Sequence, residues 1–255
     1  MDNLSICITA GEQSENHVGM QINGTGLSSC GFTSDELSKF KIQLDEKGIS
    51  SEYYSLDEYL VDKGMVDVAG LLIIRNGVEK LINVDANEML KEQLEFEWDK
   101  KYWDTRRQKV LNKRARYNVC YGINGQKPDY ENKKGTIISY DKVPLLNKWK
   151  NTLYEMFGSK ATNLEVEGNL YYDTKKCGIG FHGDSERKKV IACSLGDSRP
   201  IHWQWYYKSE KIGPRIKFTL NNGDMYIMSE KTTGYDWKKR NIKTLRHAAG
   251  DKYTK

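Results

Sequence analysis

After Gly168 the chain becomes a succession of short runs, NLYYD, GIGFHGD, KVIACSLG, PIHWQWYYK, RIKFTL, GDMYIMS and KTLRHAAG, cut by Gly, Asn, Asp or Pro turns. This spacing constrains the fold more than any other feature. Short strands at near-regular intervals bury their apolar faces by closing on themselves or by stacking two sheets, so the pattern predicts a closed or sandwiched β architecture such as a jelly roll. Within PIHWQWYY, alternation places Ile201, Trp203, Trp205 and Tyr207 on one face and His202, Gln204 and Tyr206 on the other. The first face is expected to be core, and the second a polar face on which His202 binds no metal.

Upstream the grammar is helical or mixed. VPLLNKWKNTLYEMFG places Leu146, Trp149, Leu153 and Phe157 on one side of a helix, with Gly158 as its stop. From Asp85 to about Gln108 the recurrence of Leu90, Leu94, Trp98 and Tyr102 predicts a further helix. Residues 1–84 carry β-like runs (LSICITA, VGMQI, VAGLLIIRNG) and a capping box at Thr33-Ser-Asp-Glu36, which predict a small α/β accessory unit of its own. Residues 85–255 then form the second unit, giving an α+β chain: a double-stranded β-helix core with supporting helices, plus the small N-terminal unit.

At 255 residues, 38% hydrophobic and 29% charged, the chain can bury one substantial core, and no apolar run approaches the ~20 residues that span a bilayer. The first residues, MDNLSICITAGEQ, lack a basic start followed by an apolar stretch, so an intracellular location, cytoplasmic or nuclear, is expected. Cys7, Cys30, Cys120, Cys177 and Cys193 are scattered and never form CxxC, which argues against a disulfide framework and a zinc ribbon. The net charge of +5 permits a polyanionic partner without demanding one. Its distribution is more telling: the stretch from Trp98 to Tyr121 concentrates Lys100, Lys101, Arg106, Arg107, Lys109, Lys113, Arg114 and Arg116 among Trp103, Tyr117 and Tyr121. Cations interleaved with aromatics suit phosphates and unstacked bases, and they equally suit a solvated face whose rings pack inward.

Chemistry concentrates at His182-Gly-Asp184. Residues i and i+2 of a strand project together, so one imidazole and one carboxylate can reach a common ion. A second histidine would complete the 2-His-1-carboxylate face, which leaves positions open on iron(II) for a chelating 2-oxo acid and dioxygen. His247, on the last strand signal, is the favoured third ligand; His17 and His202 fit less well.

The surrounding residues resemble the AlkB family of iron(II)/2-oxoglutarate-dependent dioxygenases. They read Asn169-Leu-Tyr171, then a turn at Asp173, then Ile179-Gly-Phe-His182-Gly-Asp184-Ser-Glu186, followed by the VIACSLG strand and preceded by the VPLLNKWKNTLYEMFG helix. The resemblance spans roughly residues 114–250. It implies that His182 and Asp184 bind Fe(II), that Asn169 and Tyr171 hydrogen-bond the cosubstrate 2-oxoglutarate, and that Glu186 faces a nucleobase pocket. RNIKTLR, from Arg240 to Arg246, matches R-x-x-x-T-x-R within the family's R-x-N-x-T-x-R, whose arginines grip the cosubstrate carboxylates, and carries Ile242 where that motif has Asn. No histidine stands between Met228 and Arg240, where the family places its distal one. If His247 is that ligand, Arg246 points to the opposite face of its strand; if Arg246 is the clamp, the ligand is Asp236 or is missing.

The activity so implied uses Fe(II), 2-oxoglutarate and O2 to hydroxylate, and where the carbon is attached to nitrogen to remove, a group on a base of DNA or RNA, single-stranded or with the base flipped out. Arg114, Arg116, Tyr117 and Tyr121 are then the candidate substrate contacts. Two alternatives stand beside it: a hydroxylase of the same cofactors acting on a protein or small molecule, and a catalytically silent jelly-roll binding module.

Overall fold

A computed structural model describes residues 3–254. The chain is a mixed α+β protein built mostly from two sheets. The large one has eight strands in the spatial order Ser51–Ser55, Gly70–Ile74, Met225–Met228, Val190–Gly196, Ser5–Gly11, Glu165–Tyr171, Tyr117–Gly122 and Ile137–Ser139, antiparallel save for the last pair. The small one has four antiparallel strands in the order Ile179–His182, Thr244–Ala249, Arg199–Tyr207 and Glu210–Leu220. Each of the seven strand signals after Gly168 lies in one of these strands.

Alternation along the large sheet builds three layers. Ile6, Ile8, Leu72, Ile74, Ile191 and Ile227 point to a face packed with Leu37 and Leu44 of the helix Ser34–Glu46 and with Leu146, Trp149, Leu153 and Phe157 of the helix Pro144–Phe157. Cys7, Leu71, Ile73, Ala192 and Met228 point the other way, onto Ile201, Trp203, Trp205, Ile216 and Leu245 of the small sheet. Both faces of the large sheet are thus covered, which is why SICITAG and GLLII are buried at every position. The capping box at Thr33 and Glu36 is formed. The long helix ends at Gly158, whose φ of 73° favours glycine.

Three expectations are corrected. Residues 1–84 are not a unit of their own, because Ser5–Gly11 lies near the middle of the large sheet, paired with Glu165–Tyr171 on one side and Val190–Gly196 on the other. The helix opening at Asp85 stops at Leu94, where the indole N–H of Trp98 donates to the Gln93 carbonyl at 3.1 Å and turns the chain. Beyond it Tyr102 and Trp103 pair with Leu111 and Val110 in a two-stranded ribbon, Lys101–Asp104 with Lys109–Asn112, as aromatic and β-branched residues favour. Tyr207, expected on the core face of Arg199–Tyr207, is exposed at the strand end, while on the polar face His202 is 2% exposed, its Nε2 standing 3.2 Å from the Asp251 carboxylate. Among the described residues, no helix is long and apolar enough to cross a membrane.

Candidate metal centre

The small sheet brings the two histidine strands side by side, with His182 directly opposite His247 in the ladder. Their rings lie 4.4 Å apart. Asp184 is not on the strand, which ends at His182; the chain turns at Gly183, and the Asp184 N–H donates to the Thr233 carbonyl at 3.0 Å. The turn nevertheless returns its carboxylate to the imidazoles, with Oδ1 at 3.7 Å from His182 Nε2 and 3.5 Å from His247 Nε2. These three side chains are the group of His, Cys, Asp and Glu donors found close enough to share one metal ion among the described residues. An ion bonded at ~2.1 Å to three donors on one octahedral face sets them about 3 Å apart, so small side-chain adjustments close the site.

The protonation states suit a cation. His182 Nδ1 lies 2.9 Å from the Gly180 carbonyl, which can only accept, so Nδ1 carries the proton and Nε2 offers its lone pair. Burial first, and the neighbouring His247 second, push His182 down to about 3, so the ring is neutral near pH 7. Burial raises Asp184, but His247, Arg187 and His182 outweigh it and hold the carboxyl well below its ordinary range. Behind it, Arg187 Nη2 pairs with Glu167 Oε2 at 2.5 Å, and its Nη1 reaches to 4.0 Å from Asp184 Oδ2.

A cavity of about 520 Å³ opens on this cluster. Asn169, Tyr171, Glu186 and Arg116 line it. Much of Asn169 is engaged by protein: its Oδ1 accepts from Arg116 Nε at 2.7 Å and Asn118 Nδ2 at 2.6 Å, and its Nδ2 donates to Glu167 Oε1 at 3.1 Å. The other predicted contacts lie elsewhere. Tyr121 is 1% exposed on the helix-covered side of the large sheet, donating to Gln93 Oε1 at 2.5 Å. Tyr117 stacks on Tyr172 at 4.5 Å, and Arg114 offers its carbonyl to the Tyr172 hydroxyl, both outside the cavity walls. Arg240 and Arg246 are also absent from those walls. Arg246 points away from its neighbour His247, its guanidinium 3.9 Å over Tyr206 and 5.2 Å from Trp237, because adjacent strand residues face opposite ways.

Sequence reasoning missed two sets of wall residues. One is Arg199, whose signal was a single cation at the core-facing parity of Ile201, Trp203 and Trp205. The other is the loop Glu15–Val18. Lys113 Nζ holds that loop by donating to Asn16 O at 3.0 Å and Asn16 Oδ1 at 2.6 Å, and His17 stacks on Tyr102 of the ribbon at 3.7 Å. His17 therefore walls the cavity without joining the metal group. Burial raises Glu15 to about 7 and raises Glu186, where the Asp184 charge adds to the effect.

No protein-family model matches the chain. It is 44% identical over 258 residues to an uncharacterized protein of Acanthamoeba polyphaga mimivirus, a match that covers 98% of each chain.

Proposed function

The chain belongs to the family of that mimivirus protein, and for this member we propose an Fe(II)- and 2-oxoglutarate-dependent dioxygenase, AlkB-like in its site, that hydroxylates a modified base in nucleic acid. The observation that carries the reading is the convergence of His182, Asp184 and His247 on one point of a cavity. Two imidazoles and one carboxylate on one side of an ion are the ligand chemistry of non-haem iron oxygenases. The two packed, largely antiparallel sheets, with the two histidines on neighbouring strands of the smaller one and Asp184 in the turn that follows the first, support a double-stranded β-helix core. When bound, iron and 2-oxoglutarate let dioxygen hydroxylate a C–H bond, which becomes demethylation where that carbon is attached to nitrogen.

The chain's own residues have separable tasks in this reading. His182, Asp184 and His247 hold the metal; the Gly180 carbonyl fixes the His182 tautomer; Arg187 and Glu167 hold Asp184 from behind. Tyr171 and the remaining Asn169 amide N–H face the cosubstrate. Glu186 and Arg116 form the wall offered to a base. The nucleic-acid reading is favoured by the ribbon beside the cavity wall: Lys101, Arg106, Arg107 and Lys109 are exposed on it, and it meets the wall through the His17–Tyr102 stack.

The test is succinate release. Protein loaded anaerobically with Fe(II) should release succinate from 2-oxoglutarate in air, faster with a methylated single-stranded oligonucleotide, and His182→Ala should abolish it. Full release by His182→Ala would sink the metal assignment. Release that a peptide or metabolite stimulates and no oligonucleotide does would move the substrate to those classes.

A further inference from the structure

Arg199 is a buried cation without an anion. It is 2% exposed, and among the described residues its Nε and Nη1 have no hydrogen-bond partner and no carboxylate stands within ion-pair distance. Its guanidinium lies 4.2 Å over the Tyr171 ring, in the wall of the cavity that holds the triad. Tyr226 and Cys7 share that wall, with the Tyr226 hydroxyl 3.5 Å from Cys7 Sγ. A charge withdrawn from water is ordinarily paired, and three free N–H donors held against a flat ring are pre-set for a carboxylate.

We propose that Arg199 anchors the carboxylate remote from the metal of a short 2-oxo dicarboxylate, so that it, rather than Arg240 or Arg246, makes this site select 2-oxoglutarate over monocarboxylic oxo acids. The inference rests on the iron and oxo-acid reading above. The sheet register supports the span. Trp203 stands opposite His247, and Arg199 lies four residues back on the same face of that strand, roughly 13 Å along it at ~3.3 Å per residue. Part of that distance is taken up by the arginine side chain and part by the histidine, which leaves the length of a five-carbon chain with a carboxylate at each end. Pyruvate, which has the chelating end alone, would leave Arg199 unpaired.

The test uses full-length protein with Mn(II) in place of iron, and reads binding without turnover. Calorimetric titration should show 2-oxoglutarate binding about tenfold or more tighter than pyruvate; Arg199→Met should erase that preference, leave Mn(II) affinity unchanged and leave pyruvate binding unchanged. Arg199→Lys, which keeps the charge, should retain part of it. In metal-free protein, glutarate should raise the melting temperature of the wild type and not of Arg199→Met, and the metal-free variant should melt at or above the wild type because an unpaired buried charge has been removed. Undiminished 2-oxoglutarate preference in a folded Arg199→Met or Arg199→Lys would overturn the proposal while leaving the metal reading intact. Wild-type protein that binds no Mn(II) at all would overturn both.

Discussion

Gly183 and Gly234 meet backbone to backbone: a Cβ built on Gly183 would stand 2.0 Å from the Gly234 carbonyl oxygen. Gly234 itself adopts a φ of 71° at the end of the short helix Glu230–Thr233. This contact and the Asp184-to-Thr233 hydrogen bond bend the chain between His182 and Asp184.

Gly183→Ala should therefore disturb the metal site more than its size suggests. The backbone must shift to admit the methyl, with an expected loss of about 1–3 kcal/mol in stability and about tenfold or more in metal affinity. Thermal melts and Mn(II) titration check both, and wild-type values for both would remove this contact from the account of the site.

Neighbours on one strand should behave oppositely. His247→Ala removes a candidate ligand and should cost about 100-fold or more in metal affinity, whereas Arg246→Ala, facing Tyr206 and Trp237, should leave it unchanged. Equal losses from the two would mean that the closing strand acts as a whole and that His247 has no special part.

Glu15 should impose a pH dependence on stability. Burial first raises its carboxyl from 4.5 to about 7, against the Gly19 N–H that favours the charged form. A raised carboxyl keeps its proton in the folded state after the unfolded chain has lost it, so its contribution is fully present below about 4.5 and disappears as pH climbs through about 7. Comparison of melting temperatures across that window should show a decline in the wild type that Glu15→Gln reduces. Parallel curves for the two would show that Glu15 titrates like an open carboxylate.

The ribbon prediction is electrostatic. Replacing Lys101, Arg106, Arg107 and Lys109 together by Ala should weaken single-stranded DNA binding and lower the slope of log K against log salt by about 3, at ~0.7 for each phosphate that is no longer neutralised. Fluorescence anisotropy over a salt series gives the slope. A slope identical to the wild type would place the nucleic-acid surface elsewhere or nowhere.

Part of the candidate site was legible in the sequence. His182 and Asp184 are read from their spacing, although a turn rather than one strand brings them together, while Asn169, Tyr171 and Glu186 are named through the family resemblance and lie on the preceding strand and the same turn. His247 could be selected because few histidines were available and it lay on a strand signal. Arg199 was hidden by its context: its orphaned state depends on which residues of other strands surround it, and no spacing rule contains that. The helix expected over 85–108 shows a different limit. Leu90 and Leu94 do pack on the helix-side core, but Trp98 and Tyr102 continue the same four-residue recurrence from a turn and a ribbon, so the period alone ran past the true end. For Ser5–Gly11 the strand itself was readable and its neighbours were not, because a run buried at every position carries no signature of its partners.

The placement of that strand governs how the protein can be made. Ser5–Gly11 leaves the ribosome well before the two strands it pairs with, Glu165–Tyr171 and Val190–Gly196. Until they emerge, a seven-residue stretch whose native positions are all buried has neither of its ladders, and it must stay extended and unaggregated while the residues between are synthesised. For the same reason, expression of the second half alone would leave a slot in the large sheet directly beside the strand that carries Asn169 and Tyr171.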